Sequence, residues 1–123
     1  MIRLTLVAIV FVVFSSSAVA QDPVKVDPAH HKVELENAQV RVLRVTLDPG
    51  AKTAVHEHPA AVVTYLTDAE TRVIPVGGKT NETPRKAKDV ITIEPTRHTV
   101  ENIGSERVEL ILVELKSKAA GRR

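Results

Sequence analysis

The sequence predicts an all-β protein, a single small sandwich or closed barrel, on three observations. Beyond residue 20 the apolar residues come in short runs rich in Val, Ile and Leu, at 39–47, 60–66, 70–76, 90–93 and 107–115. Their length and composition suit strands rather than helices. No window of about a dozen residues in that region carries the 3.6-residue apolar period of an amphipathic helix. Turn chemistry falls between the runs, at Asp48-Pro49-Gly50, Thr67-Asp68-Ala69, Gly77-Gly78 and Ile103-Gly104-Ser105. With 123 residues and no internal repeat, the chain allows one domain.

The first twenty residues read as a secretory signal. Arg3 supplies a positive start, residues 6–14 are uninterruptedly apolar, and Ser15-Ser16-Ser17 leads to Ala18-Val19-Ala20, where cleavage is expected. The apolar run is short for a membrane span, which takes about 20 residues; an uncleaved anchor is the alternative. No cysteine follows it, which excludes a lipid-modified bacterial N-terminus. The expected location is therefore periplasmic or secreted, with no membrane contact after cleavage.

Residues 21–31 carry Pro23 and Pro28 and read as an extended lead-in, with the adjacent His30 and His31 at its end. Neighbouring strand residues face opposite ways, so at most one of these rings reaches the interior; both are read as surface residues. The β domain is expected over 32–116. Within it Val33 and Leu35 alternate with charge, Asn37-Ala38 turns the chain into 39–47, and Asp48-Pro49-Gly50 makes a tight turn. Proline sets the φ of its second position and glycine the positive φ of its third. Residues 79–88 are polar and lysine-rich, hence exposed. The last strand, 107–115, sets Val108, Leu110 and Leu112 on one face.

Composition narrows the partners. Once the leader is removed, Tyr65 is the sole aromatic residue, and there is no cysteine, so the core is aliphatic and no disulfide supports it. Positive and negative side chains nearly cancel, leaving a net charge of +2. The basic tail, 117–123, holds Lys118, Arg122 and Arg123 and reads as a solvated terminus. Without stacking aromatics no nucleic-acid partner is expected.

The chemistry concentrates in Val55-His56-Glu57-His58-Pro59 and in Arg97-His98-Thr99-Val100-Glu101-Asn102. On a strand, His56 and His58 point to one face and Glu57 to the other. Two imidazoles on one face, met by His98 from a neighbouring strand, form a nest for a divalent metal. Neutral imidazole suits Zn, Fe, Cu or Ni, and three protein ligands leave a position open for water or substrate.

These residues resemble the cupin superfamily. Its first motif is matched by Gly50, His56 and His58, with Val62 or Val63 where a glutamate ligand belongs and Ala69 in place of the closing glycine. Its second is matched by His98 and Asn102, with Ala87, Ile93 and Pro95 at the Gly, Pro and Gly positions. Aligning Lys88-Asp89-Val90 with the usual Gly-Asp-Val shortens a loop by one residue and restores no glycine.

The resemblance implies a single jelly-roll β-barrel and a divalent ion (Fe, Zn, Mn, Ni or Cu) held by His56, His58 and His98. Without the glutamate the ion keeps its full charge and attracts small anionic, chelating ligands. Affinity is expected to fall below pH about 6, where free imidazole protonates. Asn102 shares the parity of His98 and is read as supporting the ligands from behind or holding a turn. Tyr65 shares the parity of Val63; it is the one candidate general acid or hydrogen-bond donor, or it simply packs.

Three functions remain open. One is a metal-dependent enzyme, an oxygenase or isomerase on a small oxygenated acid or diketone. Another is a non-catalytic binder of metal or small ligand. The third is a metal-free dimerisation barrel, a homodimer pairing along 107–115 as a candidate edge.

Overall fold

The computed structural model describes residues 21–117; the expected signal and all but the first residue of the basic tail lie outside the described residues. Eight strands follow one helical turn: α1 (Pro23–Val26), β1 (His31–Glu36), β2 (Val40–Leu47), β3 (His56–His58), β4 (Ala61–Tyr65), β5 (Thr71–Pro75), β6 (Val90–Ile93), β7 (Thr96–Asn102) and β8 (Val108–Leu115). Among the described residues no helix is long and apolar enough to cross a membrane.

The strands form two antiparallel sheets, one of five in the order β1-β2-β8-β4-β6 and one of three in the order β3-β7-β5. The all-β expectation stands, but the sheets do not close into a barrel. Beyond β5, residues Asn81 and Arg85 make isolated bridges to Val73 and Ala69 in place of a continuous strand. Pro84, which has no N–H to donate, lies within that stretch. The proposed dimer edge is also corrected. β8 lies between β2 and β4, with both sides hydrogen-bonded, so the most continuously apolar strand is central, where it is covered best.

The core follows the two-residue period. Leu43, Val45 and Leu47 from β2, Ala61, Val63 and Tyr65 from β4, and Val108 and Leu112 from β8 turn inward between the sheets. The turn at Asp48-Pro49-Gly50 forms as its residues dictate: Gly50 has a φ of 81° and the Ala51 N–H donates to Asp48 O at 2.9 Å. Lys88 has a φ of 78°. In the alternative alignment with Gly-Asp-Val, the residue at the glycine position thus holds a backbone conformation that costs an L-residue about 1–2 kcal/mol.

The lead-in is not wholly extended. Asp22 caps Val24 N at 2.9 Å and Pro23 occupies the first turn, so Asp-Pro starts a helix in the manner those two residues favour. The turn brings Asp27 under β1, where its carbonyl oxygen accepts from Nδ1 of His31 at 3.1 Å.

Candidate metal centre

β3 pairs with β7 so that His56 stands directly across from His98. Parity then sets His58 on the same inner face, while Glu57 turns outward toward Arg97 at 3.8 Å. Ring centroids lie 4.7 Å apart for His56 and His58, 4.8 Å for His56 and His98, and 5.5 Å for His58 and His98. The three rings singled out by the sequence therefore converge.

A fourth ring joins them. His31, expected at the surface, is buried at 3 % exposure, with its centroid 4.8 Å from that of His56 and 6.1 Å from that of His58. The alternation argument for His30 and His31 holds in form, since one ring is inside; His30 takes the outer place and bonds Asp27 Oδ1 at 2.8 Å. His31 opens β1 opposite Val45, an inward core position, and the α1 turn tethers its Nδ1. That places it inside. Parity carried no signal for this, because Val33 and Leu35, which share the parity of His31, are themselves exposed.

The hydrogen bonds set the tautomers. Nδ1 of His56 donates to Ala54 O at 2.7 Å, Nδ1 of His31 donates to Asp27 O, and Nδ1 of His58 donates to Oε2 of Glu114 at 2.8 Å. With Nδ1 committed as donor, Nε2 of each ring keeps its lone pair. This is the arrangement of a metal-ligating histidine backed by an oxygen acceptor. Ligand nitrogens of His31, His56 and His58 all lie within 4.8 Å of one another. A tetrahedral ion at ~2.1 Å asks for ~3.4 Å between nitrogens, so binding one would require the rings to draw together. The donor set fits a borderline divalent metal.

Burial keeps His98, His56 and His31 neutral. It pushes His98 down to about 3, helped by the neighbouring His56, His58 and His31. His56 falls to about 4 by burial and by the nearness of His58 and His31, against its bond to Ala54. His31 is lowered by burial despite its bonds to Asp27. At His56 and His98, proton competition for a metal accordingly begins well below the pH set by free imidazole.

Val63 is buried on β4 and lines the cavity beside the histidines, so no carboxylate enters from the family's glutamate position. A carboxylate stands behind the ligands instead. Glu114 is 3 % exposed on β8 and also receives Nε of Arg41 at 2.6 Å; Arg41 in turn pairs with Asp22 at 2.8 Å. Burial would raise the Glu114 carboxyl, but the bonds from His58 and Arg41 outweigh it and hold it below the usual range. Sequence reasoning missed Glu114, although it shares the parity of Val108, Leu110 and Leu112.

The other two candidates lie elsewhere. Asn102 is fully buried, yet its amide nitrogen donates to Leu47 O at 2.9 Å and Glu106 O at 2.8 Å, and its Oδ1 accepts from Gly104 N at 3.0 Å. It ties the 103–106 turn to the end of β2. Tyr65 sits on β4 four residues from Ala61, the partner of Glu114, or roughly 13 Å along the strand. Both Tyr65 and the histidines His31, His58 and His98 line one cavity of about 460 Å³ between the sheets, open past β6.

Two antiparallel sheets with inward histidines from a His-x-His strand and its partner define a cupin. The family model described as Cupin domain matches residues 43–114, and the chain belongs to the cupin family. No curated protein matches it. Among solved structures it is similar to a cupin domain from Bordetella pertussis Tohama I, at 22% identity over 71% of this chain and 92% of that one with a TM-score of 0.65. It is also similar to a conserved protein with a double-stranded β-helix domain from Klebsiella pneumoniae, at 26% identity over 73% and 74% with a TM-score of 0.57. A Cupin 2 conserved barrel domain protein from Salinispora arenicola shares 20% identity over 74% and 85%, with a TM-score of 0.52. These likenesses bear on the fold. His31 precedes the matched segment.

Proposed function

We propose that this cupin is exported and holds a divalent metal ion on His31, His56, His58 and His98. The observation that carries the reading is the convergence of buried rings whose Nδ1 atoms, in His31, His56 and His58, are already committed to oxygen acceptors. Four neutral ligands leave the ion its +2 charge, which favours binding of a small anionic chelator. The Asp22–Arg41–Glu114 chain orients His58, and the Asp27 carbonyl orients His31.

The cavity beside the rings supports a catalytic use as well as simple capture: an oxygenase or isomerase acting on a small oxygenated acid or diketone. A bound ion there supplies Lewis-acid or oxygen-activating chemistry. The aliphatic walls offer no free carboxylate beside the rings to serve as general base, which favours capture over proton-transfer chemistry.

Metal analysis of the purified protein tests the assignment. The wild type is expected to retain a stoichiometric ion that His56→Ala and His98→Ala lose; equal metal in all three proteins removes the reading. Oxygen consumption and isomerisation assays with diketones and hydroxy acids then separate enzyme from binder. Sequencing the N-terminus of the periplasmic fraction, expected to begin at Gln21, tests export.

A further inference from the structure

Among the six described arginines, five have a carboxylate partner. Arg41 pairs with Glu114 and Asp22, Arg44 with Glu34 and Glu109, Arg72 with Glu82 and Glu101, Arg97 with Glu57, and Arg107 with Asp48. Arg85 has none among the described residues, although it is half-buried and lines the cavity between the sheets. Its backbone is pinned: its N–H donates to Ala69 O at 2.9 Å, and its carbonyl accepts from Ala69 N at 3.0 Å. Tyr65 and Arg85 line the same cavity, with the Arg85 charge near enough to act on the Tyr65 hydroxyl. Around the pair the wall is aliphatic, built from Val63, Ile91, Leu110 and Leu112.

A guanidinium placed against such a wall has given up part of its hydration without gaining an anion, an arrangement that an anionic ligand would complete. We infer that Arg85 and Tyr65 form a subsite for the carboxylate of a small acid with an aliphatic body, which lies along Ile91 and Leu112 with its far end toward His58 and His98. Arginine's planar fork matches a carboxylate with two parallel bonds. Burial raises the Tyr65 hydroxyl above its ordinary value, against the pull of Arg85, so it stays a donor at neutral pH. Lys79 at the mouth adds positive charge. Neither Glu94, exposed beyond the end of β6, nor Asp89, which accepts from Lys86 N at 2.8 Å, nor Asp68, which pairs with Lys86, forms an ion pair with Arg85. The volume of about 460 Å³ lies in the range of small-molecule sites.

This deepens the metal reading by naming which end of a ligand is held away from the ion, and its test is independent of metal. Chelator-treated protein is titrated with hexanoate and with hexanol by calorimetry. Hexanoate is expected to bind the wild type saturably, with affinity falling about tenfold or more in Arg85→Gln, the scale of a lost charge-assisted bond. Arg85→Lys, which keeps the charge without the fork, is expected in between, and Tyr65→Phe to weaken binding several-fold. Hexanol binding is expected to be indifferent to Arg85→Gln, and metal content is expected to be unchanged in it. Equal hexanoate affinity in wild type and Arg85→Gln, with both folded by thermal unfolding, overturns the subsite. So does the absence of saturable hexanoate binding. Neither result touches the metal assignment, which is read by metal content alone.

Discussion

Nδ1 of His58 lies 2.8 Å from Oε2 of Glu114, with both side chains buried, and this contact joins the centre of the molecule to Arg41 and Asp22. A buried carboxylate at that place makes the ring a better metal ligand and fixes its orientation. Glu114→Gln keeps the shape and removes the charge. Metal affinity measured by chelator competition is expected to fall by about 10–100-fold. Unchanged affinity, in a background where His56→Ala loses the ion, would show that the carboxylate serves folding alone.

His31 is the proposed ligand that the family motif does not contain. His31→Ala is expected to weaken metal binding as strongly as His56→Ala does, whereas His30→Ala is expected to leave it unchanged. Wild-type affinity in His31→Ala would reduce the ligand set to the residues of the two motifs.

Acid is expected to destabilise the metal-free protein. His56 and His98 titrate near 4 and 3 in the folded state against 6.5 in the unfolded chain, and His31 is shifted the same way. Between those values the unfolded chain binds more protons, so stability rises with pH through the window. It is fully present above about 6.5 and is lost as pH falls toward 4, by on the order of a few kcal/mol. Glu114, also depressed, adds to the loss only below its ordinary 4.5. Melting temperatures recorded in chelator from pH 7.5 to 4 measure this; a flat profile would mean the rings are solvated.

Asn102 separates scaffold from site. Asn102→Ala abandons the Leu47 and Glu106 carbonyls and the Gly104 N–H, and chemical denaturation is expected to show a loss of about 2–3 kcal/mol at roughly 1 kcal/mol per bond. Metal content of the folded variant is expected to match the wild type.

The strand positions were legible because alternation and turn chemistry are local. The apolar run at 39–47 became β2, the run at 107–115 became β8, and Gly50 adopts the positive φ that its turn demanded. The pair His56 and His58 was legible for the same reason, as parity on one short strand. Glu114 shares parity with recognised inward residues, but nothing local says which inward residues meet; His31 shares parity with Val33 and Leu35, which are exposed, so nothing local marks it as buried. The dimer edge at 107–115 was misplaced because strand order depends on pairings between distant segments. Closure of the barrel likewise depends on whether residues 79–85 pair with β5 or β6.

By itself the sequence determined an all-β cupin chain and the three motif histidines, since both follow from residue types at fixed short spacings. Only the tertiary structure decided that His31 joins them, that Glu114 stands behind His58, and that Arg85 lines the cavity without a carboxylate partner among the described residues. Those relations join residues far apart in the chain, and the pairing and packing of the two sheets alone bring them together.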